Sequence, residues 1–142
     1  MSNSIKFLSS FFLFLFVSFI LKAQETRVFE GGKEGHAIYR IPAIISLPNR
    51  ELLAFAEGRV HGAEDFGEIN LVMKRSSDQG QTWTPLQILI DYDSLQAGNP
   101  APVLDLHDPK HPQGVVYLFY NTGNNHEYEV RMNQGVREVW MI

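Results

Sequence analysis

The sequence predicts an all-β chain of short antiparallel strands, grouped in units the size of a propeller blade. Three observations lead there. Apolar, β-branched runs of six to eleven residues alternate with turns rich in Gly, Pro, Asn and Asp, and no stretch holds a convincing helical period. The first four runs form one unit of about 45 residues, the repeat of a blade. Between the third and fourth runs lies Ser76-Ser77-Asp78-Gln79-Gly80-Gln81-Thr82-Trp83, which fits S-x-D-x-G-x-T-W at all five fixed positions.

The elements follow in order. Residues 37–47 form a first strand that ends at Pro48-Asn49. Residues 51–56 form a second, and the short turn through Arg50 makes the two a hairpin. After the loop at His61-Gly62-Ala63, residues 68–75 form a third strand, and 76–81 a tight turn. Residues 82–90 form a fourth, interrupted by Pro85. Residues 91–113 hold Gly98, Pro100, Pro102, Pro109 and Pro112 and read as irregular. Residues 115–121 form another strand, Gly123-Asn124-Asn125 a turn, and residues 136–142 a last strand. A run of such strands builds a sandwich, a barrel or a propeller. Residues 24–142 would hold two to three blades, and a closed propeller needs at least four. The last residues, Arg137 to Ile142, form an apolar strand without a turn or cap, so a truncated propeller is the expectation.

Residues 1–23 read as a secretory signal. Lys6 gives a positive start, Phe7 to Leu21 is apolar apart from Ser9, Ser10 and Ser18, and Ala23 suits cleavage before Gln24. The run is short for a bilayer span. A secreted or periplasmic protein, with no membrane partner once the signal is cut, is therefore expected. Without Lys6 and Lys22 the net charge falls from -4 to -6, which argues against nucleic acid. With no cysteine there is no disulfide framework, thiolate zinc site or cysteine nucleophile. His107, Asp108 and His111 sit in a Pro-rich stretch and read as a solvated loop. Neither a metal nor a cofactor is expected.

The eight-residue motif is an Asp box, and its physics is that of a turn. Asp78 is placed to accept backbone N–H groups two residues on, Gly80 to take positive φ, and Trp83 to pack beneath. A chance match at one position is on the order of one in a million. Ser76, Asp78, Gly80, Thr82 and Trp83 therefore speak for fold and not for reaction. Arg40, in Tyr39-Arg40-Ile41-Pro42, is different. It sits among Ile38, Ile41, Ala43, Ile44 and Ile45, where a charge is costly without a partner. Taken alone it reads as an exposed edge arginine.

In context, Tyr39-Arg40-Ile41-Pro42 resembles the Phe/Tyr-Arg-Ile-Pro motif of sialidases, at the same place before the first Asp box. Leu53 to Arg59, followed by Glu64-Asp65-Phe66-Gly67-Glu68-Ile69, is similar to the sialidase stretch with a second substrate-contacting arginine and the acid/base aspartate. Asn99-Pro100-Ala101-Pro102 resembles the loop beside the N-acyl pocket, although a plain turn before proline is the alternative for Asn99. Residues 120–127 resemble a loop of the bacterial secreted branch. The resemblance implies the first blades of a six-bladed propeller and an exo-alpha-sialidase that hydrolyses terminal alpha-linked sialic acids from glycans. It implies Arg40, Arg59 and Asn99 as substrate-binding residues and Asp65 as the acid, with Glu64 as the alternative in register.

The chemistry suits these residues. Sialic acid carries a carboxylate on the anomeric carbon. Guanidinium groups grip a carboxylate bidentately and keep their charge. The same carboxylate repels an anionic nucleophile, so the family uses a tyrosine activated by a glutamate. Those two residues, and two further arginines, belong to later blades of the family and match no residue here. A non-catalytic Asp-box propeller explains the box equally well, but not Arg40, Arg59 and Asp65 together. A trans-sialidase, or an enzyme releasing an anhydro product, shares these first blades.

Overall fold

The computed structural model describes residues 25–123 and 126–142. The expected signal segment, its cleavage site before Gln24, and Asn124 and Asn125 of the expected turn lie outside the described residues. Seven strands form in chain order: β1 (Ile38–Ser46), β2 (Leu52–Arg59), β3 (Ile69–Ser76), β4 (Gln87–Ile90), β5 (Gln96–Asp105), β6 (Val115–Gly123) and β7 (Arg137–Met141). A five-residue helix α1 (Glu127–Arg131) precedes β7.

The strands group into two antiparallel meanders. In the first, β1 pairs β2, β2 pairs β3 and β3 pairs β4, all antiparallel, which is the four-stranded blade expected over residues 37–90. In the second, β5 pairs β6 and β6 pairs β7. One parallel pair, Ile69 with Gln96, joins them. The core lies where the two meet. Phe55 of β2 and Leu71 of β3 pack with Ala97 of β5 and Leu118 and Tyr120 of β6. Ala43, Ile45, Leu53, Met73, Leu89, Ile90 and Val116 lie around them. The buried Phe55, Leu71 and Leu118 side chains contribute roughly 1.5–3 kcal/mol each.

Three expectations about elements are corrected. Residues 91–113 are not irregular throughout, since β5 spans ten of them. Its prolines are tolerated because β5 pairs along its length on one side only, and Pro100 falls in a break of register between Gly98 and Ala101. The fourth strand is shorter than expected. Thr84 still serves the turn, its N–H donating to Arg75 O and its hydroxyl accepting from Arg75 N–H, and Pro85 has no N–H to donate. Helix α1 forms where no helix was expected, between the expected turn at Gly123-Asn124-Asn125 and the strand from residue 136. Glu129 closes its first turn, accepting the His126 N–H on its carboxylate while its own N–H donates to His126 O.

The two meanders share one device. β1 breaks register between Arg40 and Ala43, and β5 between Gly98 and Ala101. In each, the residue before proline has left-handed backbone: Ile41 at φ 51° and Asn99 at φ 53°. For a β-branched residue such a φ is an outlier, and it costs on the order of 1–3 kcal/mol. Arg40-Ile41-Pro42-Ala43 and Gly98-Asn99-Pro100-Ala101 thus occupy equivalent places in successive blades.

Candidate active site

Strand alternation puts the charged residues on one face. Arg40 of β1 pairs with Glu57 of β2, and Arg59 follows two residues on, so all three side chains lie on the same side. The loop from β2 to β3 then brings Asp65 over them. Asp65 Oδ1 accepts from both arginines, at 2.9 Å from Arg40 and 2.7 Å from Arg59. The three line one cleft of roughly 180 Å³, together with Ile41, Glu57, Gln96, Asn99, Glu127 and Arg137. Both meanders therefore contribute to it.

The two arginines differ in what they are free to do. The side chain of Arg40 is 44% exposed, and that of Arg59 3%. Arg59 has five N–H donors, and each has an acceptor. Nε donates to Glu57 at 3.1 Å. Nη1 donates to the carbonyls of Ala63 and Glu64, and Nη2 to Glu57 at 2.6 Å and to Asp65. Burial alone would lower its pKa, but its hydrogen bonds to the carboxylates of Glu57 and Asp65 outweigh that and raise it. Arg59 thus ties down residues 63–65, whereas Arg40 offers an exposed guanidinium to the cleft.

Asp65 is exposed at 66%. Its hydrogen bond from Arg59 and the charges of Arg59, Arg40 and Arg137 hold its carboxyl below the ordinary range, against a smaller opposing effect of burial. Glu64, the alternative acid, lines a neighbouring cavity with Arg59, His61, Phe66 and Glu68, and its carbonyl accepts from Arg59. Phe66 packs on the His126 ring with centroids 3.6 Å apart, which fastens the Asp65 loop to the second meander.

Asn99 lines the cleft from β5, and its N–H donates to Glu57 Oε1 at 2.9 Å. Among the described residues no tyrosine lines the cleft. Sequence reasoning missed Glu57, Gln96, Glu127 and Arg137. The Ala54-Phe55-Ala56-Glu57-Gly58-Arg59 alternation placed Glu57 on the arginine face and was the one signal for it.

The Asp-box turn stands apart. Ser76 pairs with Leu52, and Arg59 with Ile69, so the turn and the cleft lie at opposite ends of β3, roughly 23 Å apart at 3.3 Å per residue. Asp78 accepts from the N–H of Thr82 at 2.9 Å, from its hydroxyl at 2.6 Å and from the Ser76 hydroxyl at 2.8 Å. Those bonds, the Thr82 hydroxyl first, bring its carboxyl down to about 2. The N–H two residues on, that of Gly80, goes instead to Ser76 Oγ. Gly80 has φ 92°, and Trp83 Nε1 donates to its carbonyl. The His107, Asp108 and His111 segment is also a turn, in which Asp108 accepts from Tyr117, Lys110 N–H and His111. Among the described residues no group of three or more side chains is placed to hold a metal ion, and no helix is long and apolar enough to cross a membrane.

No protein-family model matches the chain. An exo-alpha-sialidase of Aspergillus fumigatus is 37% identical over 91 residues, covering 60% of this chain and 21% of that protein. A sialidase of Micromonospora viridifaciens is 36% identical over 94 residues, covering 63% and 14%. Bovine sialidase-3 is 35% identical over 96 residues, covering 64% and 21%. The chain spans about a fifth or less of the length of these relatives. The solved Hadza microbial sialidase Hz136 superposes with a TM-score of 0.61 at 19% identity, over 79% of this chain and 25% of that one. Over about 60% of its length the chain is similar in sequence to these exo-alpha-sialidases and sialidases, and its two meanders have the fold of sialidase β-propeller blades.

Proposed function

We propose that residues 24–142 are the first blades of an exo-alpha-sialidase that removes terminal alpha-linked sialic acids from glycoproteins, glycolipids or oligosaccharides. The observation that carries this reading is the convergence of Arg40 and Arg59 on Asp65 in one cleft of a sialidase homologue. Arg40 binds the sugar carboxylate, and Asn99 lies beside the N-acyl group. Asp65 gives its proton to the glycosidic oxygen as the bond to the anomeric carbon breaks, with the bonding pair staying on the departing oxygen. A tyrosine oxygen takes the anomeric carbon, and water, deprotonated by Asp65, then releases the sugar. That tyrosine, its glutamate and two further arginines are assigned to no residue of this chain.

The Arg40–Asp65 ion pair gives the sequence of events a physical cause. A substrate carboxylate competes for Arg40. Once Arg40 turns to it, Asp65 loses one of the cations that keep it ionised and becomes easier to protonate. Residues 1–23 direct export and are cut off, leaving Gln24 first. Their apolar run and small residue at Ala23 support this. N-terminal sequencing of the exported protein tests it, and a start at Met1 would refute it.

The test of function is turnover of a fluorogenic sialoside by residues 24–142 joined to the remaining blades of the propeller. Arg40→Ala and Asp65→Ala should each lower the rate by at least about a hundredfold. No turnover by the joined protein, or a normal rate in Asp65→Ala, would sink the assignment.

A further inference from the structure

We propose that Glu57 is a positioning residue, a buried carboxylate that locks Arg59 and the Asn99 bulge of the next blade into one unit beneath the Asp65 loop. For its kinetic arm the proposal rests on the sialidase reading above, and its structural arm stands without it.

Glu57 is buried, and its two oxygens face different blades. Oε2 accepts Arg59 Nε at 3.1 Å and Nη2 at 2.6 Å within β2. Oε1 accepts the Asn99 N–H at 2.9 Å, 42 residues along the chain. A carboxylate with both oxygens used in this way fixes the register between blades as well as a charge. The chain makes room for it. A Cβ at Gly98 would lie 2.5 Å from Glu57 Oε1 and 3.0 Å from Gln96 Nε2. Asn99 holds left-handed backbone so that its N–H turns to Glu57 and its residue lines the cleft. On the other side, Arg59 passes the constraint to the carbonyls of Ala63 and Glu64 and to Asp65. Glu57 lines the cleft, but its hydrogen bonds go to Arg59 and the Asn99 N–H and not to Asp65, so it acts on Asp65 through Arg59.

Glu57 also balances charge. Asp65 faces Arg40 from β1, Arg59 from β2 and Arg137 from β7, while Glu57 and Glu127 are the other acidic residues lining the cleft. Neutralising Glu57 leaves the buried Arg59 with less compensation, and Asp65 then feels more positive charge. The acid becomes harder to protonate, so the alkaline limb of kcat/KM moves to lower pH.

The experiment compares Glu57→Gln and Gly98→Ala with the parent protein, by sialoside kinetics across pH, thermal melting and hydrogen exchange at the Asn99 amide. Glu57→Gln should lower kcat/KM roughly ten- to hundredfold, as expected for misplacing a reacting group by up to an ångström, and move the alkaline limb to lower pH. Gly98→Ala keeps every charge and crowds the carboxylate, so it should lower kcat/KM without moving the limb. Both should speed exchange at Asn99. Parent-like rates and pH profile in Glu57→Gln would overturn the proposal, as would a loss that only tracks the melted fraction. If Glu57→Gln fails to fold, Gly98→Ala decides, and parent-like kinetics there overturn it. If the parent cleaves no sialoside, the functional reading fails and the exchange data decide: Asn99 exchange as fast in the parent as in Glu57→Gln overturns the positioning role.

Discussion

Arg40 and Arg59 share one oxygen of Asp65, yet their surroundings give them unequal parts. Arg59 has an acceptor for every donor and is buried, so Arg59→Lys should lose more than charge would suggest. One ammonium cannot span Glu57, two carbonyls and Asp65. Arg59→Lys should therefore destabilise the fold by about 3 kcal/mol or more, the range for breaking a buried pair, and Arg40→Lys by less than about 1, the range for an exposed one. Denaturant melts of the two variants measure this, and equal losses would contradict the division of labour. The convergence of Arg40, Arg59 and Asp65 was expected from their match to sialidase motifs that lie within 26 residues, on one hairpin and the loop after it. Glu57 was not. In the sequence it is one more carboxylate beside an arginine, and its second partner is a backbone N–H on a strand that the prolines concealed.

At the scale of elements, the turn from Ser76 to Trp83 was the most legible feature, because its hydrogen bonds close within eight residues. Only the partner of the Gly80 N–H differed from expectation. The depressed carboxyl of Asp78 has a consequence for stability. Its folded-state value of about 2 lies below the ordinary 3.8, so its contribution is complete above about pH 4 and fades as pH falls toward 2. Asp78→Asn should lower the melting temperature at pH 7 and change it little at pH 2. Melts at the two pH values check this, and an equal drop at both would contradict it. The bulges at Ile41 and Asn99 were not legible. A residue before proline ordinarily takes extended backbone, and only tertiary constraint holds these two at positive φ.

For the whole molecule, the first blade was foreseen because its strands pair with sequence neighbours. The second was foreseen only in part, since β5 meets the first blade at the single pair Ile69–Gln96 and through packing. That packing is central to the fold, and Leu71 shows no exposure. Leu71→Ala should cost about 2–5 kcal/mol through lost burial and the cavity left behind. A loss under about 1 kcal/mol in a denaturant melt would mean that the two meanders are not held by this core. The cleft joins the blades as well, drawing Arg40, Glu57 and Arg59 from one and Gln96, Asn99, Glu127 and Arg137 from the other.

Arg40, Arg59 and Asp65 are proposed to form part of a sialoside-cleaving site. The most direct measurement is the rate of fluorogenic sialoside hydrolysis by these blades within the joined propeller, beside its Asp65→Ala variant and beside residues 24–142 alone. The expected result is turnover by the joined protein, at least about a hundredfold less in the variant, and none by residues 24–142, to which no nucleophile is assigned. A joined protein that leaves the sialoside intact, or a variant that cleaves it at the parent rate, would contradict the account.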